Sequence, residues 1–176
     1  MVTTWKIDST HSEVLFKVKH LMITTVTGRF NNYNLEVVTE DNDFSKASKI
    51  AFTAEVDSIS TNNEQRDGHL KSPDFFDTAS HPKLIFNGNK FEGSGSDYKL
   101  YGDLTMRGTT KSIVLNVEYG GIVTDPWGQT KAGFTVTGKV SRKEFGLTWD
   151  AVTEAGQVVV SDEVKIHAEI QIVKQA

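Results

Sequence analysis

The sequence predicts an all-β protein: an antiparallel, up-and-down β-barrel of about eight strands with a short helical insert near residues 61–77. Three observations predict it. Apolar and polar residues alternate along most of the chain, and alternation on a strand separates an apolar face from a solvated one. Pairs rich in Gly, Asn and Asp punctuate the alternating segments. No stretch has the apolar spacing of a long amphipathic helix.

The first segment is residues 12–20, with Ser12, Val14, Phe16, Val18 and His20 on one face and Glu13, Lys17 and Lys19 on the other. Residues 33–39 form a second, less regular strand. In 50–57, Ile50, Phe52, Ala54 and Val56 oppose Thr53, Glu55 and Asp57. Residues 83–91 are again less regular, with Leu84 and Phe86 inward. Leu100, Gly102, Leu104 and Met106 share a face in 98–106, as do Ile113, Leu115 and Val117 in 113–119. Ala132, Phe134, Val136, Gly138 and Val140 do so in 132–140, and the last strand alternates over 158–172. The predicted turns include Asn42-Asp43, Gly88-Asn89, Gly93-Ser94-Gly95, Gly120-Gly121, Pro126-Trp127-Gly128 and Ala155-Gly156.

Strands of about ten residues span roughly 30 Å. That length is natural for a closed barrel and long for a two-layer sandwich, the alternative that pattern alone leaves open. An outer-membrane barrel is disfavoured because the charged face would meet lipid.

Residues 60–78 break the alternation. Thr61 and Glu64 have capping-box spacing, which predicts a helix starting at Thr61. Ser72-Pro73 predicts a further short turn. Phe75 and Phe76 then either anchor the connection to the core or form a lid over a barrel mouth.

The 176 residues suit one domain. A net charge of −4 with dispersed acids argues against nucleic-acid binding. No basic amphipathic segment suggests membrane-surface binding, and no apolar run approaches the roughly 18–20 residues of a membrane-spanning helix. With no cysteine, neither thiol chemistry nor a thiolate metal site is available. The stretch MVTTWKID does not resemble a secretory leader, so a cytoplasmic location is expected, or a periplasmic one if a leader has been removed.

No catalytic or metal site is expected. His11 and His20 have opposite parity on one strand and lie roughly 30 Å apart, so they cannot share an ion. His69, His81 and His167 lack metal-ligand spacing. No G-x-S-x-G elbow is present. Asp162 is the one acid with inward parity, and a strand bend that turns it outward is the expected explanation. The remaining signal is an apolar interior. Its walls are Phe16, Val18, Phe52, Phe86, Leu104, Met106 and Phe134. Interleaved small residues (Ala54, Gly102, Ala132, Gly138 and Ala168) are expected to leave room for about one ligand. His20 is expected at one end of that interior, and Arg29 and Arg66 lie in connections that could approach it.

The run W-x-I-D-x-x-H-S-x-V-x-F-x-V-x-H at 5–20, followed by Gly28-Arg29-Phe30, resembles the opening of the YceI-like family. The resemblance continues through Arg66-Asp67-x-His69-Leu70, Asp74-Phe75-Phe76-Asp77 and His81-Pro82-x-Leu84-x-Phe86. It then takes in residues 101–111, YGDLTMRGTTK, and Arg142-x-x-Phe145-Gly146. It implies a lipocalin-like barrel that binds a long polyisoprenoid lipid, such as an isoprenoid quinone or a prenyl diphosphate, as a carrier or buffer. The lipid would be the sole bound group, with no cofactor and no catalysis. The resemblance further implies that the helical insert surrounds the opening, which makes Phe75 and Phe76 lid residues. Parity and position nominate His20 and Arg29 for the lipid head group. A homodimer through one barrel face is also expected. The alternatives are an enzyme acting on a lipid inside the barrel, or a stress or interaction protein whose barrel is filled by its own side chains.

Overall fold

The computed structural model describes residues 1–151 and 159–176. Eleven strands form one antiparallel sheet closed on itself. They are β1 (Val2–Ile7), β2 (Glu13–His20), β3 (Thr24–Phe30), β4 (Tyr33–Glu40), β5 (Lys49–Glu55), β6 (Ile59–Ser60), β7 (Lys83–Ser94), β8 (Asp97–Met106), β9 (Thr109–Thr124), β10 (Thr130–Ser141) and β11 (Glu163–Lys174). The single α-helix, α1, is Glu64–Lys71.

β1 pairs with β4 on one side and β11 on the other, which closes the ring. β2 also lies against β11, and pairs with β3 on its other side. β1 and β2 therefore continue each other along one neighbour. The pairings of β4 with β5 and of β3 with β6 make β3–β4 and β5–β6 continuous in the same way. Eleven strands with three such continuations give eight staves, each bonded to the next in chain order. This is an up-and-down barrel, and it removes the sandwich alternative.

The breaks within staves have local causes. The Asp8 side chain accepts the Thr10 N–H at 3.1 Å and caps a 3₁₀ turn over Ser9–His11. A second turn, Val56–Ser58, ends on Ser58, whose hydroxyl accepts the Asn32 N–H at 3.0 Å.

Each predicted strand falls on a different stave. β1, β3 and β6 are additional, and their signal was weak: Thr and Gly dilute the apolar face of TTVTGRF, VTTWKI is short, and β6 is only two residues. Two predicted turns are not turns. β7 runs through Gly88-Asn89 and β9 through Gly120-Gly121, and in each case the pairing register shifts. The extra residue makes a β-bulge that bends a long strand instead of reversing it. The predicted turn at Ala155-Gly156 and the predicted strand start at Val158 lie outside the described residues.

The helix begins later than predicted. Asn63, not Thr61, is its N-cap, accepting the Arg66 N–H at 3.0 Å. The acid that reaches back is Asp67, not Glu64, and it accepts from the Thr61 N–H at 2.8 Å and the Thr61 hydroxyl at 2.6 Å. Ser72 ends this helix, and its carbonyl accepts the N–H groups of Phe75 and Asp77, both at 3.0 Å.

Candidate functional site

Inward parity on the eight staves builds a cavity of about 470 Å³, within the range of roughly 300–1,000 Å³ typical of small-molecule sites. Phe16, Val18, Phe52, Phe75, Phe76, Phe86, Leu104, Met106 and Phe134 all line it. Three inward glycines do not act as spacers. A Cβ on Gly28 would meet Phe16 Cζ at 2.1 Å, one on Gly102 would meet Phe86 Cζ at 2.4 Å, and one on Gly138 would meet Leu115 Cδ2 at 2.5 Å. Each glycine seats a neighbouring side chain against the wall, so ring placement rather than a gap shapes the space.

One end of the barrel is filled by aromatic rings. Trp5 from β1 is fully buried, and its indole N–H donates to the Thr39 hydroxyl at 3.0 Å. Phe44 packs 5.0 Å from Trp5 and 5.1 Å from Phe134. Tyr119 stacks 5.1 Å from Phe134, and Phe91 stacks 4.6 Å from Tyr98. Such contacts add to the burial of the rings themselves.

The other end carries α1 and the segment after β10. Phe75 and Phe76 are buried beneath the helix, Phe76 edge-on to Phe30 at 6.3 Å. His69 stands edge-on to both Phe75 (5.0 Å) and Trp149 (4.9 Å), while its Nε2 lies 2.9 Å from Asp74. Arg107, in the β8–β9 turn, donates to the carbonyls of Pro73 at 2.8 Å and Gly146 at 2.7 Å, tying the insert to the following segment.

Arg142 lies at the centre of this end and is 3% exposed. Its guanidinium donates to the carbonyls of Ser161 (2.9 Å), Leu147 and Trp149 (both 2.7 Å) and Val160 (3.2 Å). Burial pulls its pKa below the ordinary arginine value, against the opposing fields of Asp150 and Asp162. A guanidinium nevertheless stays charged. Its five donors suit a cluster of backbone carbonyls better than a single carboxylate would.

Among the described residues the polar lining is confined to this end: Lys19, His20, Thr61, Arg66, His69 and Arg142. Arg66 donates through Nε to the Thr61 hydroxyl and through Nη2 to the Thr61 carbonyl, both at 2.7 Å, so that Nη1 makes no hydrogen bond among the described residues. His20 lines the cavity at the end of β2. Arg29 does not. Val26, Gly28 and Phe30 take the inward positions of β3, so Arg29 between them is exposed on the outer face. Asp162 is also outside. Ser161 is buried just before it, and the Asp162 carboxylate accepts from the Ser141 hydroxyl (2.7 Å) and the Lys143 N–H (3.0 Å). His11 lies in the turn ahead of β2, 2.8 Å from Asp8. Sequence reasoning missed Arg142 and Trp149 as mouth residues. Arg142-x-x-Phe145-Gly146 was visible as a motif, but the carbonyls it gathers carry no side-chain signature.

Residues 5–172 match the YceI-like domain. The chain belongs to the YceI-like family. A UPF0312 protein of Staphylococcus aureus strain USA300 is 37% identical over 168 residues, 95% of either chain. A YceI protein of Campylobacter jejuni is 30% identical, with a TM-score of 0.76 over 90% of each chain. Two more distant structures share the fold. BcnA of Burkholderia cenocepacia has a TM-score of 0.79 at 19% identity, over 94% of this chain and 98% of that one. A polyisoprenoid-binding domain from Saccharophagus degradans has a TM-score of 0.67 at 15% identity, over 97% and 98%. In this YceI-like barrel the charged motif residues Asp67, Arg107 and Arg142 are engaged in holding the cap, while Arg66 lines the cavity.

Proposed function

We propose that the barrel holds one long apolar chain of the polyisoprenoid class, with its tail toward the Trp5–Phe44 cluster and its polar end at the mouth, as a non-catalytic carrier or buffer. The observation that carries this reading is the segregation of the cavity among the described residues: aliphatic and aromatic walls along its length, polar groups at one end only. Each methylene removed from water contributes about 0.8 kcal/mol before the cost of ordering the chain. The polar end then selects among lipids of similar tails.

His20 and Arg66 Nη1 are the groups assigned to the head group. Both donate well to an oxygen, whether a quinone carbonyl or a diphosphate. The binding named for the Saccharophagus degradans domain supports the ligand class.

The test is organic extraction of protein purified without detergent, followed by mass spectrometry. An isoprenoid quinone or prenyl diphosphate at near one equivalent supports the reading. Protein that is free of lipid and does not take up added isoprenoid overturns it in favour of a barrel filled by its own side chains.

A further inference from the structure

No helix among the described residues is long and apolar enough to cross a membrane. The outer surface beside the mouth nevertheless has an uncommon composition. Lys139 on β10 is directly opposite Lys165 on β11, which is directly opposite Lys17 on β2. All three are exposed, as are Lys19 two residues further along β2 and Arg29 on β3. None of the five is within ion-pair distance of an acid among the described residues. Glu163 is the acid at that end of β11. The His167–Glu169 pair lies further along the strand. Directly opposed like charges weaken a sheet, and here three stand in a row on a chain whose net charge is −4.

The turn between β2 and β3 adjoins this row. It is closed by the Ile23 N–H donating to the His20 carbonyl at 3.1 Å. Leu21 and Met22 both adopt left-handed backbone angles (φ 53° and 60°), a conformation that bulky side chains rarely accept. The turn holds Met22 and Ile23 away from the barrel, 57% and 77% exposed. Its base, Lys19 and His20, is part of the cavity lining.

We propose that the Met22–Ile23 tip and the Lys17–Lys165–Lys139 row form a docking surface for an anionic lipid bilayer, with the cavity mouth at headgroup level. An apolar tip beside cations matches the interface of such a bilayer, where acyl chains lie just beneath phosphate. A second protein would also accept the cations and the apolar side chains; the bilayer is favoured because the tip stands beside the mouth of a cavity read above as holding a lipid, on which this choice of partner rests. This surface was invisible as a sequence segment because strand pairing assembles it from residues far apart in the chain. It does not depend on which lipid the barrel holds.

The test is co-sedimentation of the full chain with vesicles of phosphatidylcholine alone and of equimolar phosphatidylcholine and phosphatidylglycerol. The protein should partition onto the mixed vesicles and not the neutral ones, and added salt should weaken the binding. Lys17→Gln, Lys139→Gln and Lys165→Gln together should weaken partitioning by roughly fivefold per lysine. Met22→Ser with Ile23→Ser should weaken it roughly tenfold, with no change in charge. All five changes are at exposed positions, and circular dichroism on each variant reports retention of the fold. No partitioning onto mixed vesicles, or partitioning indifferent to either set of changes, overturns the proposal.

Discussion

The ring of Phe16 lies directly over Gly28 on the neighbouring strand, so close that a methyl group at position 28 would come within 2.1 Å of Phe16 Cζ. The strand pairing explains the match, since Phe16 and Gly28 are register partners. Gly28→Ala must push the ring into the cavity, because the backbone beneath it is fixed in the sheet. The expected result is a loss of about 1–3 kcal/mol together with reduced lipid retention. Adding Phe16→Leu should restore part of both, and denaturant midpoints for the four members of the cycle measure the coupling.

Arg142 should matter more for stability than any surface charge. Arg142→Met keeps the volume but strands the carbonyls of Leu147, Trp149, Val160 and Ser161. The cost should reach about 3 kcal/mol or more, since bonds to a charged donor are strong and buried acceptors without partners are penalised. A lower denaturant midpoint at unchanged slope is the expected observation. Midpoints within error of the wild type would show that solvent replaces the guanidinium at little cost.

Acid should unfold the protein partly through Asp8. Its carboxyl is held well below the usual range by the Thr10 hydroxyl first, then by His11 and the Thr10 N–H, with Lys131 adding to them against the effect of burial. A depressed folded-state pKa gives stability that is present above the unfolded value, about 4, and is lost as pH falls toward the folded one. Asp8→Asn should therefore destabilise the protein at pH 7 and reduce its loss of stability on acidification below pH 4. Chemical denaturation at the two pH values measures the difference. Lys131 lies 3.3 Å from Asp8 and 3.6 Å from Asp125. Lys131→Met should cost more than an exposed ion pair would, because it removes the cation that two mostly buried carboxylates share.

Head-group selection separates three similar-looking polar residues. Arg66→Ala and His20→Ala should each change the class or amount of lipid recovered by extraction. Arg29→Ala should leave it unaltered, because that side chain is on the outer face. A change with Arg29→Ala of the same size as with Arg66→Ala would remove Arg66 from its assigned role.

The barrel was legible in the sequence because a period of two survives wherever one face of a strand is buried. Phe16, Phe52, Phe86 and Phe134 could be assigned to the interior from their neighbours alone. Parity also had the information to exclude Arg29, since Val26, Gly28 and Phe30 already occupy the inward positions, but no strand had been recognised there. The cap was less legible for a different reason. Arg107 and Arg142 act on backbone carbonyls, which every residue has, so no pattern of side chains marks their partners. The Asp67 contact with Thr61 was hidden by Glu64, which has the standard capping spacing and does not make the bond.

The aromatic cluster around Trp5 makes the barrel a pocket with a floor. In the proposed complex, a chain that enters at α1 leaves by the same route, polar end first. Its length is then read as well as its head: too short a tail leaves space above Phe44, and too long a tail lifts the head group past His20 and Arg66. One closed end thus turns a container into a ruler.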